Sequence, residues 1–282
     1  MTHYTLPQTP TECRPEWKQL GNAIDTPDSW FAMAKDRLVV AVGKDERVHV
    51  SLFDDNSTSW IQIAEPIDPQ MASFYDSGYS LALSSEGDVV AIGDRIYSVK
   101  IFALHPDDGW TQIGQTILGE RAGDRSGSSL GISSDGTTVA IGAPRNDGNG
   151  SNSGHVRVYQ YSTQNQQWIQ KGGDIDGESA FDYSGWALSM SRDAAVLAIG
   201  ARSNDDNGSD SGHVRVYVYD KDKQKWTQQG QDLDGEAAGD RSGWSVALSG
   251  DGSTVAIGAP LNDGYRSDAG HVRIFRFDRT NN

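Results

Sequence analysis

This chain is short of several things that would have narrowed its chemistry at once. It holds one cysteine, Cys13, so no intramolecular disulfide is possible, and oxidising export is neither required nor excluded. No apolar run approaches the roughly 20 residues of a membrane-spanning helix, so insertion into a membrane is not expected. The opening MTHYTLPQTPTEC lacks the basic and apolar regions of a secretory signal, and the chain reads as cytosolic or as already processed. Basic residues are few, 24 against 39 acidic, and the formal charge of -15 argues against binding nucleic acid through the surface as a whole. There is no G-x-S-x-G, no phosphate-binding glycine loop of the Walker type and no HExxH. Stretches with helical periodicity are short and interrupted by glycine.

What is present is repetition. The text DRSGWSVALSGDGSTVAIGAP from Asp240 returns as DRSGSSLGISSDGTTVAIGAP from Asp124 and DYSGWALSMSRDAAVLAIGAR from Asp182, with looser copies from Asp76 and Trp30. Two short apolar runs around a turn predict a β-hairpin in each copy. The turn acids Asp36, Glu86, Asp135, Asp193 and Asp251 are spaced 50, 49, 58 and 58 residues apart. Trp17, Trp60, Trp110, Trp168 and Trp226, each followed two residues later by glutamine, are spaced 43, 50, 58 and 58. Both series count five units. Adding HVRIFRFD-type runs and the tryptophan segments gives four short strands per unit, the signature of a propeller blade. The expected fold is all-β, a five-bladed β-propeller of four-stranded antiparallel blades over 17–278, with 1–16 a polar extension and 279–282 a tail. Because the text opens on strand four and stops after strand three, an N-terminal strand is expected to complete the last blade and close the ring.

Candidate chemistry lies in the loops outside the hairpins. Glu120 with Asp124, Glu178 with Asp182 and Glu236 with Asp240 place two carboxylates in three equivalent loops, where they can bind a cation or a basic partner, or fix the loop by accepting backbone N–H groups. Asp147, Asp205 and Asp263, in the NDG and NDD loops, offer oxygen ligands or plain turn chemistry. His155, His213 and His271 recur in GHV. As they begin the third strands of separate blades, they lie too far apart for one shared zinc ion and read as structural. The repeated tryptophans Trp60, Trp110, Trp168 and Trp226 read as core or cover, whereas Trp186 and Trp244, next to the loop glycines, are candidates for a ligand platform. The innermost strands SLGIS, ALSMS and SVALS carry no carboxylate, which argues against a glycosidase-type acid pair.

The run SVALS, a turn, VAIGAP and then GHVRVY resembles the FG-GAP repeats that build the β-propeller of integrin α subunits and related microbial proteins. The resemblance implies a ligand face made by the loops joining strands four to one and two to three, here 120–124, 178–182 and 236–240 with 146–150, 204–208 and 262–264. Integrin propellers have seven blades and this chain supplies five. Where several family repeats carry a calcium loop, this chain has SSDGT, SRDAA and SGDGS. One aspartate cannot supply the six to eight oxygens that Ca²⁺ takes. No cofactor is therefore required, and Ca²⁺ at the acidic loops is the remaining metal option. The expectation is a non-enzyme: a binding or adhesion-type propeller meeting a protein or glycan ligand through Glu120, Asp124, Glu178, Asp182, Trp186, Glu236, Asp240, Trp244, Asp147, Asp205 and Asp263. Its alternatives are a self-associating scaffold and, last, a glycoside hydrolase-like enzyme.

Overall fold

The computed structural model describes residues 16–24, 30–70, 80–264 and 266–278; Cys13, most of the expected N-terminal extension and the C-terminal tail lie outside them. The described chain is all strand and loop, in five antiparallel sheets. The first holds β1 (Phe31–Met33), β2 (Val39–Lys44), β3 (Arg47–Asp54) and β4 (Ser59–Gln62) in chain order. The second holds β5 (Ser80–Leu83), β6 (Val89–Gly93), β7 (Ser98–His105) and β8 (Gly109–Gln112), with short β9 (Ile117–Leu118) pairing back onto β7. The third repeats this with β10 (Ser129–Ile132), β11 (Thr138–Ala143), β12 (His155–Ser162), β13 (Gln167–Gln170) and β14 (Ile175–Asp176). The fourth does so with β15 (Ala187–Met190), β16 (Val196–Ala201), β17 (His213–Asp220), β18 (Lys225–Gln228) and β19 (Leu233–Asp234). The fifth has β20 (Ser245–Leu248), β21 (Thr254–Ala259) and β22 (His271–Arg276). This is the five-bladed propeller that the repeats predict.

The blades pack face to face through four apolar clusters, one per junction. Between the first two, Ala34, Val39, Ala41, Val48 and Val50 meet Leu83, Val90, Ile92 and Phe102. Small residues on one sheet make room for branched ones on the next. Along the axis the hairpin turns hand on backbone hydrogen bonds in order: Asp36 N–H to Ser85 O, Ser85 to Ser134, Ser134 to Arg192 and Arg192 to Gly250, at 2.8–3.0 Å. Arg192 Nη2 also meets Asp36 Oδ1 at 2.8 Å, tying the fourth turn to the first.

The ends differ from the expectation in one respect. Among the described residues the fifth sheet has three strands, and residues 16–24 form none, so the N-terminal strand does not complete it. Trp60 Nε1–H donates to Leu20 O at 3.0 Å, the bond by which Trp168 holds Ile113 O and Trp226 holds Lys171 O, both at 2.9 Å. WKQLG thus lies against the first blade as a fourth strand lies against the blade after it, the place expected for it in a closed ring, although among the described residues it does not pair with β22. Phe31 and Met33 on the first blade, and Val272 and Ile274 on the last, are exposed.

Candidate functional site

In an antiparallel blade the start of the first strand, the end of the second and the start of the third share one end of the sheet. The loops 119–128, 144–154 and 171–174 therefore converge, and so do their copies one repeat later. The loop aspartates expected to meet ligand turn inward instead. Asp124, Asp182 and Asp240 are 2–3 % exposed. Asn146 Nδ2 donates to Asp124 at 2.9 Å, Asn204 to Asp182 at 3.2 Å and Asn262 to Asp240 at 2.7 Å. The Ser179 and Ala237 N–H groups donate to Asp182 and Asp240 at 3.0 Å. A buried carboxylate needs such donors, and burial still raises the Asp182 pKa. Asp147, Asp205 and Asp263 accept the N–H groups of Asn152, Asp210 and Asp268 at 2.7–2.8 Å, closing their own loops. Of the acidic candidates, Glu120, Glu178 and Glu236 stay on the outer side. The three bridging asparagines are site-shaping residues missed in the sequence, although each stands 22 positions after its aspartate.

Each outward glutamate stands beside the histidine and arginine of its blade. His213, 3 % exposed, has its Nδ1 4.0 Å from Asp206 Oδ2. Burial, with help from Arg215, pulls its pKa down to about 4, so the ring is neutral at pH 7. Arg215 donates to Glu178 through a very short contact and to both oxygens of Asp232, at 2.9 and 2.6 Å. His155, 1 % exposed, lies 3.8 Å from Asp174 Oδ2 and 4.0 Å from Asp176 Oδ1, and burial lowers its pKa too. Two groups, Glu178–Asp206–His213–Asp232 and Glu120–His155–Asp174, bring their ligating atoms within 4.8 Å of one another, as a metal site requires. Each of the three histidines stands beside carboxylates of its own: His155 beside Asp174, His213 beside Asp206 and His271 beside Glu236.

Nearer the axis on the same face, the two tryptophans singled out in the sequence meet. Trp186 and Trp244 have ring centroids 5.4 Å apart at an interplanar angle of 51°, and the Arg202 guanidinium lies 3.8 Å from the first centroid and 5.0 Å from the second. Tyr183 closes the cage at 5.3 Å. Arg202 Nε is buried with no hydrogen-bond partner among the described residues. Arg241 stands 5.9 Å from Trp244 and lowers the Arg202 pKa behind the larger effect of burial. Around the same rim Arg145 acts on Arg125, and Arg125 on Arg95, whose guanidinium covers Trp30 at 4.3 Å. Arginines crowded on aromatic faces, in a chain of net charge -15, form a local anion-attracting patch.

Residues 119–159, 175–219 and 226–275 match the FG-GAP repeat family. No curated protein matches the chain. Among solved structures, a putative 6-phosphogluconolactonase from Bacteroides uniformis shares 14% identity at a TM-score of 0.51, over 76% of this chain and 59% of that one. The periplasmic gluconolactonase PpgL of Pseudomonas aeruginosa shares 19% at 0.59, over 93% and 71%. This chain therefore spans less than two thirds of the first protein's length. At these identities the likeness concerns the fold. The titles of both neighbours name lactonases, the first as a putative one, and this runs against the expected non-enzymatic binder or scaffold and names a different chemistry from the glycoside hydrolase alternative.

Proposed function

The chain belongs to the FG-GAP repeat β-propellers, and from that premise we propose that it is a hydrolase of sugar-derived lactones, with substrate seated on the arginine–tryptophan rim. The observation that carries this reading is Arg202, caged by Trp186, Trp244 and Tyr183 with an unpartnered buried Nε. Aromatic faces suit the apolar face of a sugar ring, and the guanidinium suits the charge that a lactone carbonyl develops when water attacks. In that step the water oxygen bonds to the carbonyl carbon and the ring C–O bond breaks. The attacking water gives up both protons, one to the ring oxygen, which leaves as a hydroxyl, and one to solvent. The product is a hydroxy acid anion, which neighbouring Arg241 and Arg125 attract. The titles of the two gluconolactonase-type neighbours support lactones over other esters.

Hydrolysis of glucono-1,5-lactone followed at constant pH tests the reading. The wild-type chain is expected to exceed the spontaneous rate, and Arg202→Met to lose roughly 100-fold in kcat/KM, the scale for removing one oxyanion donor. Trp244→Ala is expected to raise KM with a smaller effect on kcat. A wild-type rate equal to the buffer rate, over a panel of five- and six-membered sugar lactones, would sink it.

A further inference from the structure

The third blade buries a ring nitrogen with nothing to bond. His155 is 1 % exposed, and its Nδ1 has no hydrogen-bond partner among the described residues. It faces Asp174 Oδ2 at 3.8 Å and Asp176 Oδ1 at 4.0 Å, too far for hydrogen bonds and spaced as for an atom between them. Glu120 completes a set whose ligating atoms all lie within 4.8 Å. Each of the two outer carboxylates has one oxygen engaged and one available. Asn146 Nδ2 donates to Glu120 Oε2 at 2.9 Å, and Gln170 Nε2 donates to Asp174 Oδ1 at 2.6 Å. Such partners orient a ligand without consuming it. Arg157 does not close the group: its Nη2 donates to Leu118 O at 3.1 Å and its Nη1 stays 4.0 Å from Glu120 Oε1. Three carboxylates against one guanidinium leave a charge that a dication neutralises.

The fourth-blade copy has been filled by its own side chain. Arg215 occupies both oxygens of Asp232 and one of Glu178. The copies thus differ in where one guanidinium points and in Asp206, which stands beside His213 where the third blade has Gly148.

We propose that Glu120, His155 and Asp174 form a divalent transition-metal site of the zinc class, one that the fourth blade replaces with Arg215. One imidazole nitrogen with carboxylate oxygens suits zinc-class ions, and three protein ligands leave a position for water. Calcium, which takes six to eight oxygens, does not fit this donor set. The neutral ring supplies the ligating form without releasing a proton. The site does not depend on the hydrolase reading, because metal binding is measured without substrate.

Calorimetric titration of the metal-stripped full chain with Zn²⁺ tests it, with Co²⁺ absorption as a second readout of nitrogen ligation. One equivalent is expected, and His155→Ala, Glu120→Gln and Asp174→Asn should each weaken it roughly 100-fold or more. His213→Ala should leave it unchanged. No binding by the wild-type chain, or one-equivalent binding that survives Glu120→Gln and Asp174→Asn, would overturn the site. Those two variants lie at the exposed end of the group and keep the test sound if His155→Ala fails to fold.

Discussion

At the residue scale, the same side-chain type plays different parts a few residues apart. The turn aspartates Asp135, Asp193 and Asp251 each accept a serine hydroxyl and a backbone N–H, and Asp251 is held at a pKa of about 2 by Ser249 and Ser253. These are the turn roles legible in the sequence, since the partners lie two residues away. Asp124, Asp182 and Asp240 look alike in the sequence yet are buried fasteners between loops. His213 couples folding to pH through its burial. Its native pKa of about 4 lies below the ordinary 6.5, so the native state disfavours the protonated ring. Its contribution is complete above pH 6.5 and is lost as pH falls from there towards 4, where the unfolded chain takes up a proton that the native one refuses. The full loss is about 3 kcal/mol. Denaturant unfolding between pH 7 and 4 should show the decline, and His213→Asn should flatten it. An unchanged slope in that variant would assign the pH dependence elsewhere.

At the element scale, the glycine near the end of the second strand, Gly142 or Gly200, marks a close approach of backbones. A β-carbon on Gly142 would lie 2.4 Å from Gly185 O, and one on Gly200 would lie 2.2 Å from Gly243 O, both in the loop entering the next blade. Gly185 and Gly243 have φ of 81° and 82°, values that suit glycine, and their N–H side of the loop is held by the second strand: Gly185 N–H donates to Gly200 O at 3.1 Å. The room is taken by backbone of the next blade's entering loop rather than by a large side chain. Gly200→Ala should cost about 1–3 kcal/mol, the range for overpacking, while Gly173→Ala, with nothing within 4 Å of the added carbon, should be close to neutral. Thermal melts of the two variants check this, and equal melting temperatures would remove the close-approach explanation. In the fifth blade a β-carbon on Gly258 would meet only Ser245, because no following blade lies against it among the described residues.

At the scale of the molecule, that last observation has a counterpart at the other end. Val272 and Ile274 are 66% and 71% exposed, and Phe31 on the first blade is 71% exposed, whereas Val99, Val156 and Val214, which stand where Val272 does in the inner blades, are buried. Ile274→Lys is therefore expected to change stability by less than about 0.5 kcal/mol, against 2–5 kcal/mol for Ile257→Ala in the buried junction. Urea melts decide between them, and a large loss for Ile274→Lys would mean that the outer face is covered in solution. Strand alternation, hairpin turns, blade count and the small-residue junctions were all written in the sequence, because each depends on residues within one repeat and on a periodicity of two. What only the tertiary structure decided is which residues of different repeats meet. Arg202 between Trp186 and Trp244, the inward turn of the loop aspartates, Arg215 filling one carboxylate group while Arg157 leaves its copy open, and the N-terminal segment docking on the first blade all depend on inter-blade packing. Burial and the geometry of neighbouring blades set those contacts, and neither is encoded in the spacing of one repeat.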